Sequence, residues 1–529
     1  MAPTSLYATL AALAILPCSL AEPKVFGLKF AKVKKDLAQS GLQRRANTVS
    51  EPLYNGQNLY IANISIGTPP QEMSVQLDTG SSDLWVPASQ SNICQEPSCD
   101  AWGSFDYKAS TSFVELDDLG DFDISYGDGS QYSGAYFSDN LAIGDSSLKG
   151  VTMAVAISAQ NLVGDGSAIG NNGLMGIGFD TNEARVDQGE RAYLGVVSQL
   201  KKQGLIKTLS YSLWLDDEDA QTGSILFGGV DTSKYVAPLI ALPMVGFEAR
   251  DPTTVNEVAI EMTSIGLTTD SGTSSLTDSK LVVPALLDSG TTLIQLPTDM
   301  AQKIQDSVGA VLDANSAQPL VACNLSTAKA TYVFGFGGSS GPKINVPVSQ
   351  LIDPPDGVTA FADGTPACGF DIIGNDEGQV ILGDSFLRSA YVVYHLGAKT
   401  IALANANINP GGSSDIQEIT SNQIPSIQGN VLSSVALPES QPTITAAPTT
   451  EIEDPFAGLF ATTTFDGTLT ENPGKASFTA ESSVGLNGAV STGKSTGAAA
   501  STKGGMEVLA VVGVATLLSV LGGSMFLLA

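Results

Sequence analysis

Asp78-Thr79-Gly80-Ser81-Ser82-Asp83-Leu84-Trp85-Val86-Pro87 is a stretch that the 529-residue chain says twice. The second copy reads Asp288-Ser289-Gly290-Thr291-Thr292-Leu293-Ile294-Gln295-Leu296-Pro297. Each copy runs Asp, hydroxyl residue, Gly, two further hydroxyl residues, a mostly apolar run, and Pro nine positions after the Asp. Each is entered through apolar residues, Val75 and Leu77 in one case and Leu286-Leu287 in the other. Apolar lead-ins of this kind are strand signals, and Asp with Ser, Thr and Gly is turn chemistry. A carboxylate repeated on the same strand and turn predicts two half-sites that face one another.

The repeat extends further. Leu174-Met175-Gly176 ends 98 residues after Asp78, and Ile381-Leu382-Gly383 ends 95 residues after Asp288. Around these landmarks lie short runs of β-branched and aromatic residues, such as Leu59-Tyr60-Ile61, Ile64-Ser65-Ile66 and Ala390-Tyr391-Val392-Val393-Tyr394, punctuated by Gly, Asn, Asp and Pro. Helical signals are few, the best of them at Tyr193–Gln203 and Met300–Leu312. The chain is therefore expected to be all-β, with two related lobes at 46–235 and 236–407. A third Asp-hydroxyl-Gly, Asp270-Ser271-Gly272-Thr273, is preceded by Thr268-Thr269 and followed by Ser274-Ser275. It lacks the apolar entry and the closing Pro, and is expected to be a surface turn.

The formal charge of −29 argues against nucleic acid or an anionic membrane as partner. It suits a protein that stays soluble as carboxylates begin to protonate. Of five cysteines, Cys18 lies in an N-terminal apolar segment, which leaves Cys94, Cys99, Cys323 and Cys368. Two disulfides, with Cys94–Cys99 and Cys323–Cys368 the economical pairing, fit better than zinc, because no Cys-x-x-Cys or His partner accompanies them. His395 is the single histidine. No Gly-x-Ser-x-Gly elbow accompanies it, so a Ser-His-Asp triad is disfavoured and a structural histidine at a strand end is expected.

The chain ends carry processing signals. Residues 1–21 have an apolar core, Leu6 to Leu16, and small residues before the end at Ala21, the pattern of a signal peptide, although no Lys or Arg precedes the core. Residues 22–45 hold seven Lys or Arg against two acids and close on Arg44-Arg45, which suits a basic propeptide removed at a dibasic site. Residues 408–497 shift to Ser, Thr, Pro, Ala and Gly, the composition of an extended O-glycosylated stalk. Residues 498–529 include the uncharged run Val508–Ala529, with Gly497-Ala498-Ala499 upstream. Small residues, spacer and terminal apolar tail are the signal for glycosylphosphatidylinositol (GPI) attachment, with Gly497 the first choice of site and Ser495 the second. A retained transmembrane helix is the alternative. The sequons at Asn63 and Asn324 permit N-glycosylation; Asn324, after Cys323, is the better placed of the two.

Over roughly residues 55–407 these motifs closely resemble the pepsin-like aspartic endopeptidases. The resemblance is carried by the two Asp turns, by Tyr126-Gly127-Asp128-Gly129-Ser130, and by Ile381-Leu382-Gly383-Asp384-Ser385-Phe386-Leu387-Arg388. It implies a bilobal fold with a cleft between pseudo-symmetric β lobes, and Asp78 and Asp288 as a catalytic pair that needs no metal or cofactor. It further implies that Ser81 and Thr291 bond the carboxylates, while Thr79 and Ser289 brace the two turns. Gly80 and Gly290 let backbone amides come close. The Tyr126 hairpin becomes a flap, with Trp85 as the partner of Tyr126. Asp128 with Ser130 points to acceptance of Lys or Arg at P1, the substrate residue before the cleaved bond. Stalk and anchor together look like the fungal yapsin-type group. The expectation is a monomeric, single-chain endopeptidase at the outer face of the cell membrane or cell wall, acting on peptides or proteins. A pepsin-like binding protein without catalysis and a cell-wall structural protein are the rivals.

Overall fold

The computed structural model describes residues 25–34 and 58–432, apart from 92, 95–98, 100–102, 145, 161–172, 217–221, 248–252, 314–317, 355–358, 409, 411–413 and 430, together with a few short strands between 468 and 491. The expected signal peptide, the dibasic site at Arg44-Arg45, Gly497 and the tail 498–529 lie outside the described residues.

The fold is mostly β, as expected. In the first half, strand Gln71–Asp78 pairs antiparallel with Asn58–Ile66, and its end runs parallel to Leu174–Gly176, with Asp78 opposite Gly176. Leu174–Gly176 also pairs with Leu84–Pro87 on the far side of the Asp turn, so the Gly-ending strand is clamped between the two arms of the turn. The second half repeats the device. Strand Val283–Leu287 runs parallel to Val380–Leu382, which pairs in turn with Ile294–Pro297. The glycine that ends each clamped strand is dictated by space. A Cβ on Gly176 would strike the Ser82 backbone nitrogen, and one on Gly383 would strike the Thr291 carbonyl. The match between the 98- and 95-residue spans is thus a repeated clamp.

The largest sheet does not stop at the lobe boundary. From the first-half strands it continues through Phe26–Lys34, Thr222–Phe227, Ser210–Trp214, Ala390–His395 and Thr400–Ala406 to Tyr235–Pro243. Chain from both halves therefore shares one floor, and Tyr211 stacks on Tyr394 across it at 4.8 Å. Residues Phe26–Lys34 of the basic N-terminal segment are part of that floor, with Phe26 opposite Phe227 and Ala31 opposite both Thr222 and Ile61. A second, eight-stranded sheet in the later half packs apolar residues such as Ile265, Leu287, Phe334, Phe336 and Phe386 into one core.

The two expected helices form as Val196–Lys202 and Thr298–Ser307. Asp270 sits exposed at the tip of the hairpin between Ala259–Thr269 and Gly272–Ser275. Both disulfides join the expected partners, Cys94 to Cys99 and Cys323 to Cys368. His395 ends its strand buried, accepting from the Ala398 amide at Nδ1 and meeting the Ser421 carbonyl at Nε2 (2.9 Å). That pair of contacts fixes the Nε2–H tautomer.

One boundary differs from expectation. The packed chain does not leave the body at 407. Strand Ile416–Glu418 pairs with Gly229–Asp231, and the Ile419 amide donates to the Gly228 carbonyl at 2.8 Å. Further on, Gln428 and Leu432 donate to Leu239 and Ala241. Ile419 and Ile424 are buried beside Trp214, Val230, Tyr391 and Val393. Ser/Gln-rich composition hides these apolar side chains, whose partners come from distant strands.

Candidate active site

Asp78 ends strand Gln71–Asp78, Asp288 directly follows strand Val283–Leu287, and the two are only 4% and 8% exposed. Each turn serves its own carboxylate in the same way. Gly80 N–H donates to Asp78 Oδ1 at 2.7 Å, and the Ser81 hydroxyl donates to Asp78 Oδ2. Gly290 N–H donates to Asp288 Oδ1 at 2.8 Å, and the Thr291 hydroxyl to Asp288 Oδ2 at 2.6 Å. The turns also face one another closely. A Cβ added to Gly80 would collide with the Asp288 carboxyl, and one added to Gly290 with that of Asp78.

Beneath the carboxyls, the residues after each Asp cross-link the halves. Thr79 N–H donates to Ser289 Oγ (3.2 Å) and Ser289 N–H to Thr79 Oγ1 (3.0 Å). The two hydroxyls then donate across, Thr79 to the Leu287 carbonyl at 2.8 Å and Ser289 to the Leu77 carbonyl at 3.0 Å. Four buried bonds with two-fold symmetry leave the carboxyls little freedom to separate.

The electrostatics follow from the geometry. Burial comes first, then the charge of Asp288 and the hydrogen bond between the two carboxyls; together they hold Asp78 well above the usual carboxylate range. Bonds from Ser81 and Gly80 oppose this only in part. Two acids so placed cannot both ionise readily.

The hairpin of Asp121–Ser125 and Gln131–Ile143 presents Tyr126, Gly127, Asp128 and Gly129 at its tip. Tyr126 N–H donates to the Ser130 carbonyl, and Gly129 takes a positive φ of 86°, which suits glycine. Trp85 Nε1 donates to the Tyr126 hydroxyl at 2.7 Å. Burial and then the nearby Asp78 push the Tyr126 phenol well up, so it stays protonated. Tyr132 lies against Trp85, with ring centroids 4.3 Å apart. Asp128 is exposed, and its Oδ1 accepts from both the amide (2.9 Å) and the hydroxyl (2.6 Å) of Ser130. Asn63 and Asn324 are both exposed, the first on a strand and the second in the short 3-10 helix Cys323–Thr327.

Residue patterns alone miss a second layer behind Asp78. Asp83, five residues on, is fully buried and accepts from the Tyr193 hydroxyl (2.8 Å), the Tyr136 hydroxyl (3.4 Å) and the Ala184 amide (2.7 Å). Glu183 is also fully buried, accepts from the Tyr193 amide at 2.8 Å, and is pushed up to about 9, chiefly by burial. Asn182 Nδ2 donates to the Gly80 carbonyl at 3.2 Å. The run Asn182-Glu183-Ala184 carries no periodic signal, and only its partners give it meaning.

Two buried carboxyls facing one another, on matched turns from two related halves, define an aspartic protease of the two-lobed kind. The chain belongs to the eukaryotic aspartyl protease family, whose model matches residues 59–406. It is an aspartic-type endopeptidase acting on peptide substrates. A probable aspartic-type endopeptidase opsB of Aspergillus oryzae is 38% identical over 69% of this chain and 72% of its own length. The aspartic proteinase yapsin-3 of Saccharomyces cerevisiae is 35% identical over 74 to 75% of the two chains. Among solved structures, the aspartic proteinase from Irpex lacteus matches with a TM-score of 0.52 at 20% identity, covering 68% of this chain and 98% of that one. The last comparison bears on the fold.

Proposed function

We propose that Asp78 and Asp288 are the catalytic pair and share one proton. The ionised member takes a proton from a water, which attacks the peptide carbonyl. The protonated member donates to the carbonyl oxygen and stabilises the charge that develops there. Proton sharing of this kind is known for aspartic-protease dyads as a class. The single observation that carries the reading is the close facing of the two turns, each glycine packed against the opposite carboxyl, held from below by Thr79 and Ser289. The Tyr126 hairpin, tied to Trp85, closes over substrate as a flap. Cleavage from pH 2 to 8 should follow a bell-shaped profile, and Asp78→Asn should abolish it. A profile that survives Asp78→Asn would refute this assignment.

The finer reading is a secreted enzyme made with an N-terminal propeptide and held at the outer face of the cell membrane or cell wall by a GPI anchor near Gly497. It carries glycan on Asn324 and on Asn63. Likeness to yapsin-3 and the terminal apolar tail support it. Among the described residues no helix is long and apolar enough to cross a membrane. Preference for Lys or Arg at P1 rests on Asp128, whose exposed carboxylate is oriented by Ser130 on the same hairpin tip as Tyr126. The mature protein is a single-chain monomer. Release by a phosphatidylinositol-specific phospholipase tests the anchor; surface protein that resists it would favour a retained helix.

A further inference from the structure

We propose that Gln76 is a positioning residue for Asp288, acting from the opposite half of the molecule. The inference rests on the reading of Asp78 and Asp288 as the catalytic pair.

Gln76 lies two residues before Asp78 on strand Gln71–Asp78, so the two side chains leave the same face of the strand. It is part-buried, and its Nε2 donates 3.0 Å to the carbonyl of Gly290. The repeat makes this residue unexpected. The residue two before Asp288 is Leu286, buried and apolar. Related positions would ordinarily share that character, and a carboxamide at such a site must find a partner. Gln76 finds it across the lobes.

The carbonyl it holds is well chosen. The Gly290 N–H donates to Asp288 Oδ1, and the peptide that follows the Gly290 carbonyl carries Thr291, whose hydroxyl donates to Asp288 Oδ2. Because the peptide unit is planar, a bond to the Gly290 oxygen restrains the Gly290–Thr291 plane between those two donors. The first half meets the same need by another route. There Gly80, the matching glycine, has its carbonyl held by Asn182 at 3.2 Å. Two unrelated side-chain amides hold the same atom in the two turns, which points to the glycine carbonyl as something that must be fixed. Gln76 also ties the strand that bears Asp78 to the turn that bears Asp288, so it registers one half of the pair against the other.

The test compares Gln76→Leu and Gln76→Glu with the parent in acid peptide cleavage, with thermal midpoints measured alongside. Gln76→Leu removes the donor at similar size. It should lower kcat about ten-fold, the scale of losing one buried hydrogen bond, and leave KM within about two-fold. Gln76→Glu supplies a readout that a merely structural role would not move. Near pH 3 its protonated carboxyl still donates to Gly290, and kcat should approach that of the parent. As pH rises through the ordinary glutamate range, about 4.3, the donor is lost and the ratio of variant to parent kcat should fall. A ratio that stays flat or rises with pH overturns the inference, whether or not Gln76→Leu folds. Raised KM with unchanged kcat would make Gln76 a substrate contact and overturns it too. A parent without acid cleavage would sink the catalytic-pair reading and this inference with it, whereas an active parent with a flat ratio sinks this inference alone.

Discussion

Thr79 and Ser289, 210 residues apart in sequence, exchange backbone-to-hydroxyl hydrogen bonds in both directions beneath the paired carboxyls. Each hydroxyl then donates to the carbonyl just before the opposite Asp, at Leu287 or Leu77. The two carboxyls are thus set by a lock between lobes, and the lobes are set by the same lock.

Breaking it from one side should cost more than a surface bond. Thr79→Val keeps shape but leaves the buried Ser289 amide without its acceptor, and Ser289→Ala does the same to the Thr79 amide. Each should lose about 1–3 kcal/mol in urea unfolding. The double variant should lose less than the sum, because a break on one side lets the facing turns relax and weakens the bonds left on the other. Additive losses would mean the two residues act independently.

The buried carboxyls beside Asp78 give stability a definite pH sign. Burial raises Asp78, Asp83, Asp180 and Glu183, so the folded state binds protons that the unfolded chain has released. Such groups favour folding at acid pH and weaken it as pH rises. For Glu183 the window opens near the ordinary value and closes at about 9. Glu183→Gln should therefore raise the thermal midpoint at pH 7 by several degrees and change little at pH 4. An equal shift at both pH values would show that Glu183 is not a buried acid in the native protein.

The segment after Asn407 should behave as part of the folded body. Ile419 is fully buried, and Ile419→Ala should cost about 2–4 kcal/mol by leaving a cavity against Val230 and Tyr391. A chain ending at Asn407 should be destabilised more. Unchanged unfolding midpoints for both would return residues 408–432 to the stalk.

The proposed preference for Lys or Arg at P1 is tested at Asp128. Asp128→Ala removes the carboxylate that caps its own hairpin tip and should lower kcat/KM for Lys or Arg at P1, with Leu or Phe peptides affected less. Equal loss on both peptide sets would assign Asp128 to hairpin stability alone.

Much of this was legible in the sequence, and for a physical reason. The Asp turns and the clamped Gly176 and Gly383 strands depend on local chemistry, and the repeat states that chemistry twice. The absence of an apolar entry was enough to place Asp270 outside the pair, on a surface hairpin. What stayed hidden depends on partners far along the chain. Ile419 and Ile424 are isolated apolar residues in a polar run, and their burial is supplied by strands near 214, 230 and 391. Helix Val196–Lys202 begins later than its apolar pattern suggests, because Tyr193 is committed to Asp83 and Glu183, and Gly195 to Asp180. The contrast between Gln76 and Leu286 was visible in the two copies; its meaning needed the Gly290 carbonyl.

The most direct test of the account sets the true pair against the look-alike turn. Processed wild-type protein, Asp288→Asn and Asp270→Asn are compared for peptide cleavage at acid pH. Wild type and Asp270→Asn should cleave equally, and Asp288→Asn should lose all measurable activity while remaining folded. Retained cleavage in Asp288→Asn, or its loss in Asp270→Asn, would contradict the assignment of Asp78 and Asp288 as the catalytic pair.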